Sequence, residues 1–146
     1  LIRRCAAYKV RVVAADPTER GRRAVLNLGH SIGHAIEVAT DFKAFAHGEA
    51  VGIGLLPALW LSAQTEGLDP AVEDEVRDLL RRHDLPVVAR NVSPAAIVDA
   101  MSHDKKARGG RVRFALLSEI GNPVWDRDPG DDLVETAVAR AVAHRG

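Results

Sequence analysis

Cysteine occurs once, at Cys5, which excludes an internal disulfide and suits a reducing cytosol. Long apolar runs are missing: none reaches the length of a membrane span, and no basic-then-apolar leader is present. Net charge is missing as well. Twenty Lys and Arg balance twenty Asp and Glu, so nothing electrostatic points to nucleic acid or an anionic membrane as partner. Lysine itself is scarce, four against sixteen arginines. The four are Lys9, Lys43, Lys105 and Lys106; a compact ammonium kept against that preference points to phosphate binding or proton chemistry. No internal repeat or low-complexity tract occurs, and no glycine-rich phosphate fingerprint follows a strand.

What is there is an ordinary globular composition, 47% hydrophobic and 27% charged over 146 residues, the size of one domain with a real core. The chain starts at Leu1 with a helical pattern already running, so it is expected to be a piece of a longer protein. Residues 1–15 read as a helix. Asp16-Pro17-Thr18-Glu19 has the form of a helix start, with Asp16 as N-cap and Glu19 as its reciprocal partner; a start near Arg22 is the other option. A second helix is expected over residues 22–39 and a break over 40–45. Residues 46–66 are apolar nearly all round, as in a buried central helix, with Pro57 expected to kink it. Asp69-Pro70 opens a surface helix through Arg82, with Val72, Val76, Leu79 and Leu80 inward and its charges outward. Ser93-Pro94 opens another that runs into Asp104-Lys105-Lys106. Alternation near 111–125 predicts one small β-hairpin, and Asp131 is expected to cap a last helix. The fold class is therefore mainly α and multihelical, with a single hairpin.

Chemistry concentrates between Glu19 and Glu49. On a helix at about 100° per residue, Arg23, Asn27, His30 and His34 share one side, opposite Val25, Leu28, Ile32, Ala35 and Ile36. His30 and His34, one turn apart, form a two-ligand metal platform. The intervening Ser31, Ile32 and Gly33 include no general-base glutamate, which removes the metalloprotease reading. His47, in His47-Gly48-Glu49, offers a third imidazole, and Asp104 or Glu37 a carboxylate. Spacing alone leaves open which two histidines bind a metal.

The segment Arg23-x3-Asn27-Leu28-Gly29-His30-Ser31-Ile32-Gly33-His34-Ala35-Ile36-Glu37, followed by His47-Gly48-Glu49-Ala50-Val51 and later Asp104-Lys105-Lys106, resembles the C-terminal domain of the 3-dehydroquinate synthases. The resemblance runs over the whole chain. It implies an enzyme using NAD⁺ and a divalent metal, Zn²⁺ or an ion such as Co²⁺, to convert the sugar phosphate DAHP to 3-dehydroquinate and phosphate in the shikimate route to chorismate and aromatic amino acids. It implies His30 and His47 as metal ligands that also contact substrate, and His34 as a proton-handling residue outside the metal shell. Glu19 matches a proton acceptor. Lys9, Arg23, Asn27 and Lys105 match substrate-binding positions, in keeping with the fixed cations that a phosphate and a carboxylate require. The third metal ligand, a glutamate, and the NAD⁺-binding α/β domain are expected upstream of this chain, so the fragment alone should be inactive. A small-molecule substrate, a cytoplasmic location and a homodimeric full-length protein complete the expectation.

Two other readings compete. Related sugar-phosphate cyclases making valiolone-type or deoxyinosose-type rings keep the metal histidines but vary the substrate contacts; Arg23, Asn27 and Lys105 together favour the dehydroquinate reaction. A non-catalytic helical module would carry its histidines incidentally. An HD-type phosphohydrolase, drawing on His83-Asp84 and His103-Asp104, is disfavoured because Pro86 follows the first dyad and the second lies in a cation-rich segment.

Overall fold

The structure, a computed structural model, describes residues 2–18, 21–107 and 112–142, with the side chains of Arg22 and residues 104–107 left aside. Six α-helices and one hairpin make up these residues: α1 (Ile2–Ala15), a 3-10 helix (Arg22–Asn27), α2 (His30–Ala39), α3 (His47–Thr65), α4 (Ala71–Arg82), α5 (Pro94–Ala107), β1 (Phe114–Glu119), β2 (Asn122–Arg127) and α6 (Asp131–Ala141). The mainly helical class with a single antiparallel hairpin is as the composition and patterning predict. No described helix is long and apolar enough to cross a membrane.

α3 is the central helix. Its all-round apolar surface packs against α2, α4, α6 and β1, and Ile53, Leu61 and Ala50 are fully buried. It continues through the buried Pro57 without a break. Ser62 is a polar pin inside this apolar helix. Its hydroxyl donates to the Ala58 carbonyl at 2.7 Å and accepts from the Leu117 amide at 3.0 Å, tying α3 to β1. Both hydrogen-bonding roles of a buried hydroxyl are thereby filled, as burial demands.

Local signals place most helix ends where sequence rules put them. Asp69 Oδ1 accepts the Ala71 amide at 2.9 Å to open α4, and Ser93 Oγ accepts the Ala96 amide at 3.2 Å to open α5, both N-cap bonds. Asp131 is the first residue of α6 rather than its cap, a place taken by Gly130. In the hairpin, Phe114 pairs with Arg127 and Leu116 with Val124. Three residues on β1 (114–116) therefore span four on β2 (124–127), and the extra one accompanies Asp126 at φ +59°, as in a β-bulge.

Three expectations fail, each for a tertiary reason. Residues 22–39 are not one helix: a 3-10 helix ends at Asn27 and α2 begins at His30, with Gly29 between them at φ +78°. Asp16 does not start a helix at Pro17. Its carboxylate instead accepts the amides of Gly21 at 2.9 Å and Arg23 at 3.0 Å, closing the loop into the 3-10 helix. On α4, Leu79 is exposed whereas Glu73 is buried, because an arginine from α6 reaches Glu73.

Gly29 and Gly54 set the crossing of α2 over α3. A Cβ at Gly54 would overlap the Gly29 carbonyl oxygen and stand 2.7 Å from the Gly33 amide nitrogen. A Cβ at Gly29 would stand 2.9 Å from the Leu55 nitrogen, at a φ that disfavours any side chain. Backbone therefore meets backbone at the N-terminus of α2, where the histidines begin.

Candidate metal centre

His30 is the first residue of α2 and His47 the first of α3. The glycine crossing brings their rings to 5.4 Å between centroids at 62°. The imidazole that meets His30 edge-on is thus His47, from the next helix, rather than His34 one turn further along. This is the pair that the family resemblance implies as metal ligands.

Each member of the pair has its Nδ1 turned to an oxygen of the protein. His47 Nδ1 lies 3.1 Å and 3.2 Å from the two carboxylate oxygens of Glu37. His30 Nδ1 lies a longer 3.4 Å from the Leu28 carbonyl. Carboxylate and carbonyl oxygens accept, so both contacts suit rings that donate through Nδ1; a neutral ring in that tautomer carries its lone pair on Nε2. The turn before α3 is fixed by Glu49, whose Oε2 accepts the Ala46 amide at 2.8 Å, one half of a capping box. Glu49 thus holds the backbone from which His47 projects.

His34 follows one turn after His30. It is 54% exposed, with Nδ1 3.8 Å from Glu37 Oε2 and its ring 6.0 Å from that of Phe42. Glu37 is only 8% exposed and reaches both imidazoles. Its carboxylate faces the Nδ1 of His47. The signal for it was the spacing of His30, His34 and Glu37, which are four and then three residues apart and so share one face of α2. Ser31, between the histidines, donates to the Arg113 carbonyl at 3.2 Å and ties α2 to the hairpin approach.

Arg23 and Asn27 sit on the 3-10 helix that leads into α2, so they do not continue the histidine face on one helix. Arg23 donates through its guanidinium to the Pro17 carbonyl at 3.3 Å. Lys9 is exposed on α1, which packs against the 3-10 helix. Glu19 lies outside the described residues. The backbone of Lys105 continues α5, but its side chain, like that of Asp104, is outside the described set.

The two rings suit a divalent metal: imidazoles are common ligands, and with Nδ1 against a protein oxygen in each ring the other nitrogen is the one left to face an ion. Among the described residues no group of three or more His, Cys, Asp or Glu side chains gathers to hold an ion. The described part of the chain therefore offers two donors of the set that a catalytic metal site uses.

Residues 1–107 match the family model described as 3-dehydroquinate synthase C-terminal. The 3-dehydroquinate synthase of Leptospira interrogans is 43% identical over 126 residues, 86% of this chain and 35% of that protein. The enzyme of the same name from Bordetella pertussis is 42% identical over 139 residues, 95% of this chain and 38% of its own length. The chain thus spans little more than a third of these relatives. Among solved structures, a 2-deoxy-scyllo-inosose synthase complexed with carbaglucose-6-phosphate, NAD⁺ and Co²⁺ superposes with a TM-score of 0.78 at 23% identity, over 97% of this chain and 40% of its own. The 2-epi-5-epi-valiolone synthase of Streptomyces hygroscopicus, with NAD⁺ and Zn²⁺ bound, gives 0.77 at 25% identity over 93% of this chain and 38% of its own. With a family model covering most of its length and its histidine motifs in place, the chain belongs to the 3-dehydroquinate synthase C-terminal family.

Proposed function

We propose that this chain is the metal- and substrate-binding helical part of a 3-dehydroquinate synthase, a lyase converting DAHP to 3-dehydroquinate and phosphate. The observation that carries the reading is the approach of the His30 and His47 rings, each with Nδ1 against a protein oxygen, within a segment matching the family model. Identity of 42–43% to relatives named for this reaction, against 22–25% to inosose and valiolone synthases, favours it over the related cyclases.

In this reading His30 and His47 hold the metal, with a third donor and the NAD⁺ site supplied from outside these residues. Bound there, metal and NAD⁺ would supply polarisation of the ring hydroxyls and reversible removal of a hydride. The chain's own groups do the remaining work. Lys9, Arg23, Asn27 and Lys105 bind the anionic ends of the substrate and fix its orientation. That chemistry would acidify the C–H beside the oxidised carbon. Glu19 accepts a proton and His34 donates hydrogen bonds and shuttles protons as phosphate leaves. The exposure of His34 and His47, 54% and 64%, is in keeping with an open wall that substrate and a second domain would cover. An upstream NAD⁺-binding α/β domain, a homodimeric assembly and a cytoplasmic location belong to the same proposal.

The test is turnover by the product of the complete coding sequence, offered DAHP and sedoheptulose 7-phosphate in separate assays with NAD⁺ and Zn²⁺ or Co²⁺. Phosphate release from DAHP with formation of 3-dehydroquinate is expected. Turnover of sedoheptulose 7-phosphate alone would overturn the assignment in favour of a valiolone-type cyclase. The 146-residue chain by itself is expected to release no phosphate from either.

A further inference from the structure

We propose that Glu37 is a positioning residue for the metal centre: its buried carboxylate holds His47 in the tautomer and orientation that present Nε2 to the metal. The inference rests on the assignment of His30 and His47 as ligands and deepens it.

A carboxylate as buried as Glu37, with 7% of its residue surface exposed, needs compensating donors. Among the described residues its side-chain partners within 4 Å are two imidazoles, His47 at 3.1 Å and His34 at 3.8 Å, with no lysine or arginine in the set. Both of its oxygens lie within hydrogen-bonding distance of the same His47 Nδ1. The contact also crosses between helices. Glu37 stands on α2, the helix that carries His30, while His47 opens α3. The carboxylate therefore ties the ring of one ligand to the helix that bears the other, beside the glycine crossing that brings the two helices together.

The chemistry gives this contact a purpose. A histidine ligand binds metal through a neutral ring nitrogen, and a carboxylate on the opposite N–H fixes the ring and strengthens the donor. Without Glu37, His47 would be an exposed side chain at a helix start, free to rotate about χ1 and χ2 and to exchange tautomers. The ordering of that ring would then have to occur on metal binding, at a cost in affinity. His34, at the edge of the same carboxylate, would be oriented by it more weakly.

The experiment uses the product of the complete coding sequence, stripped of metal and titrated with Co²⁺ and, against a competing chelator, Zn²⁺. Glu37→Gln keeps size and an acceptor oxygen but removes the charge; Glu37→Leu removes the acceptor altogether. Metal affinity is expected to fall about tenfold in the first and about a hundredfold in the second, the range found for such outer partners. The Co²⁺ absorption bands should shift in both, while the thermal midpoint of the metal-free protein should hold in Glu37→Gln. Long-range ¹H–¹⁵N correlations of histidine-labelled metal-free protein should show His47 protonated at Nδ1 in the parent and as mixed tautomers in Glu37→Leu. Affinities within twofold of the parent with an unchanged Co²⁺ spectrum would overturn the proposal. So would a loss of affinity matched by an equal loss of metal-free stability in both variants, which would make Glu37 a packing residue only. His30→Ala and His47→Ala serve as the parallel arm: if neither weakens metal binding, the ligand assignment itself fails, whereas loss there with none at Glu37 removes this inference alone.

Discussion

Among the described residues two glutamates face the interior, and they are buried to nearly the same degree, Glu37 at 7% and Glu73 at 8%. Glu73, on α4, is held by Arg77 of its own helix and by Arg140 of α6 through contacts of 2.9 Å and 3.1 Å. Arg140 also lies over the Trp60 ring of α3 at 5.2 Å. Permanent cations occupy both carboxylate oxygens, and the cluster clamps three helices with nothing left over for a ligand. Among the described residues Glu37 meets imidazoles alone, and each imidazole has a second nitrogen beyond that contact. Burial is the same in the two regions; the partner decides whether the carboxylate is a fastener or part of a site. A guanidinium ends a hydrogen-bond chain, whereas an imidazole passes it on.

The sharpest way to break the comparison is at the histidines. In the complete gene product, His47→Ala or His30→Ala should abolish stoichiometric metal. Turnover of DAHP should fall by about three orders of magnitude, corresponding to about 4 kcal/mol of lost stabilisation. Metal analysis and steady-state rates would check this; retained metal in both variants would refute it. Gly54→Ala comes next. Its methyl group would drive α2 and α3 apart where the Gly29 carbonyl passes, at a cost of about 3 kcal/mol in urea unfolding. Metal affinity should weaken with it, because the same crossing aligns the two rings; an unchanged midpoint would mean that the crossing yields freely.

Glu73→Gln should cost about as much stability, roughly 3 kcal/mol at most, by leaving two guanidinium groups short of their counter-charge. Arg140 is 43% exposed, and solvent screening pulls the figure down. Metal affinity should remain that of the parent, the reverse of what is expected at Glu37. A Glu73 variant that loses metal would erase the distinction between the two carboxylates. The smallest effect is expected for Ser31→Ala, which removes the bond to the Arg113 carbonyl and should cost about 1 kcal/mol, read as a shift in thermal midpoint with the Co²⁺ spectrum intact.

Legibility differed between the same two regions. α4 was readable end to end, since Asp69 and Pro70 announce its start and Pro86 stands beyond its end, yet the inward turn of Glu73 was not. Its neutralising Arg140 is 67 positions away in the chain, and no local pattern announces that meeting. Around the site, the histidines and the motifs that hold them were plain in the residues, as was the pairing of His30 with His47 once the family was seen. The division of residues 22–39 was not legible. Arg23, Asn27, His30 and His34 do fall on one side of an ideal helix, and only the left-handed Gly29, pressed against α3, interrupts it.

By itself the sequence determined the helical class, the hairpin, the central apolar helix and the residue types available for metal, proton and phosphate chemistry, because periodicity, caps and functional groups are local properties. Only the tertiary structure decided which imidazoles converge and what stands behind them. His30, Glu37 and His47 become neighbours through a backbone approach that Gly29 and Gly54 permit, and the consequence of that approach for Glu37 exists only once α2 and α3 have crossed.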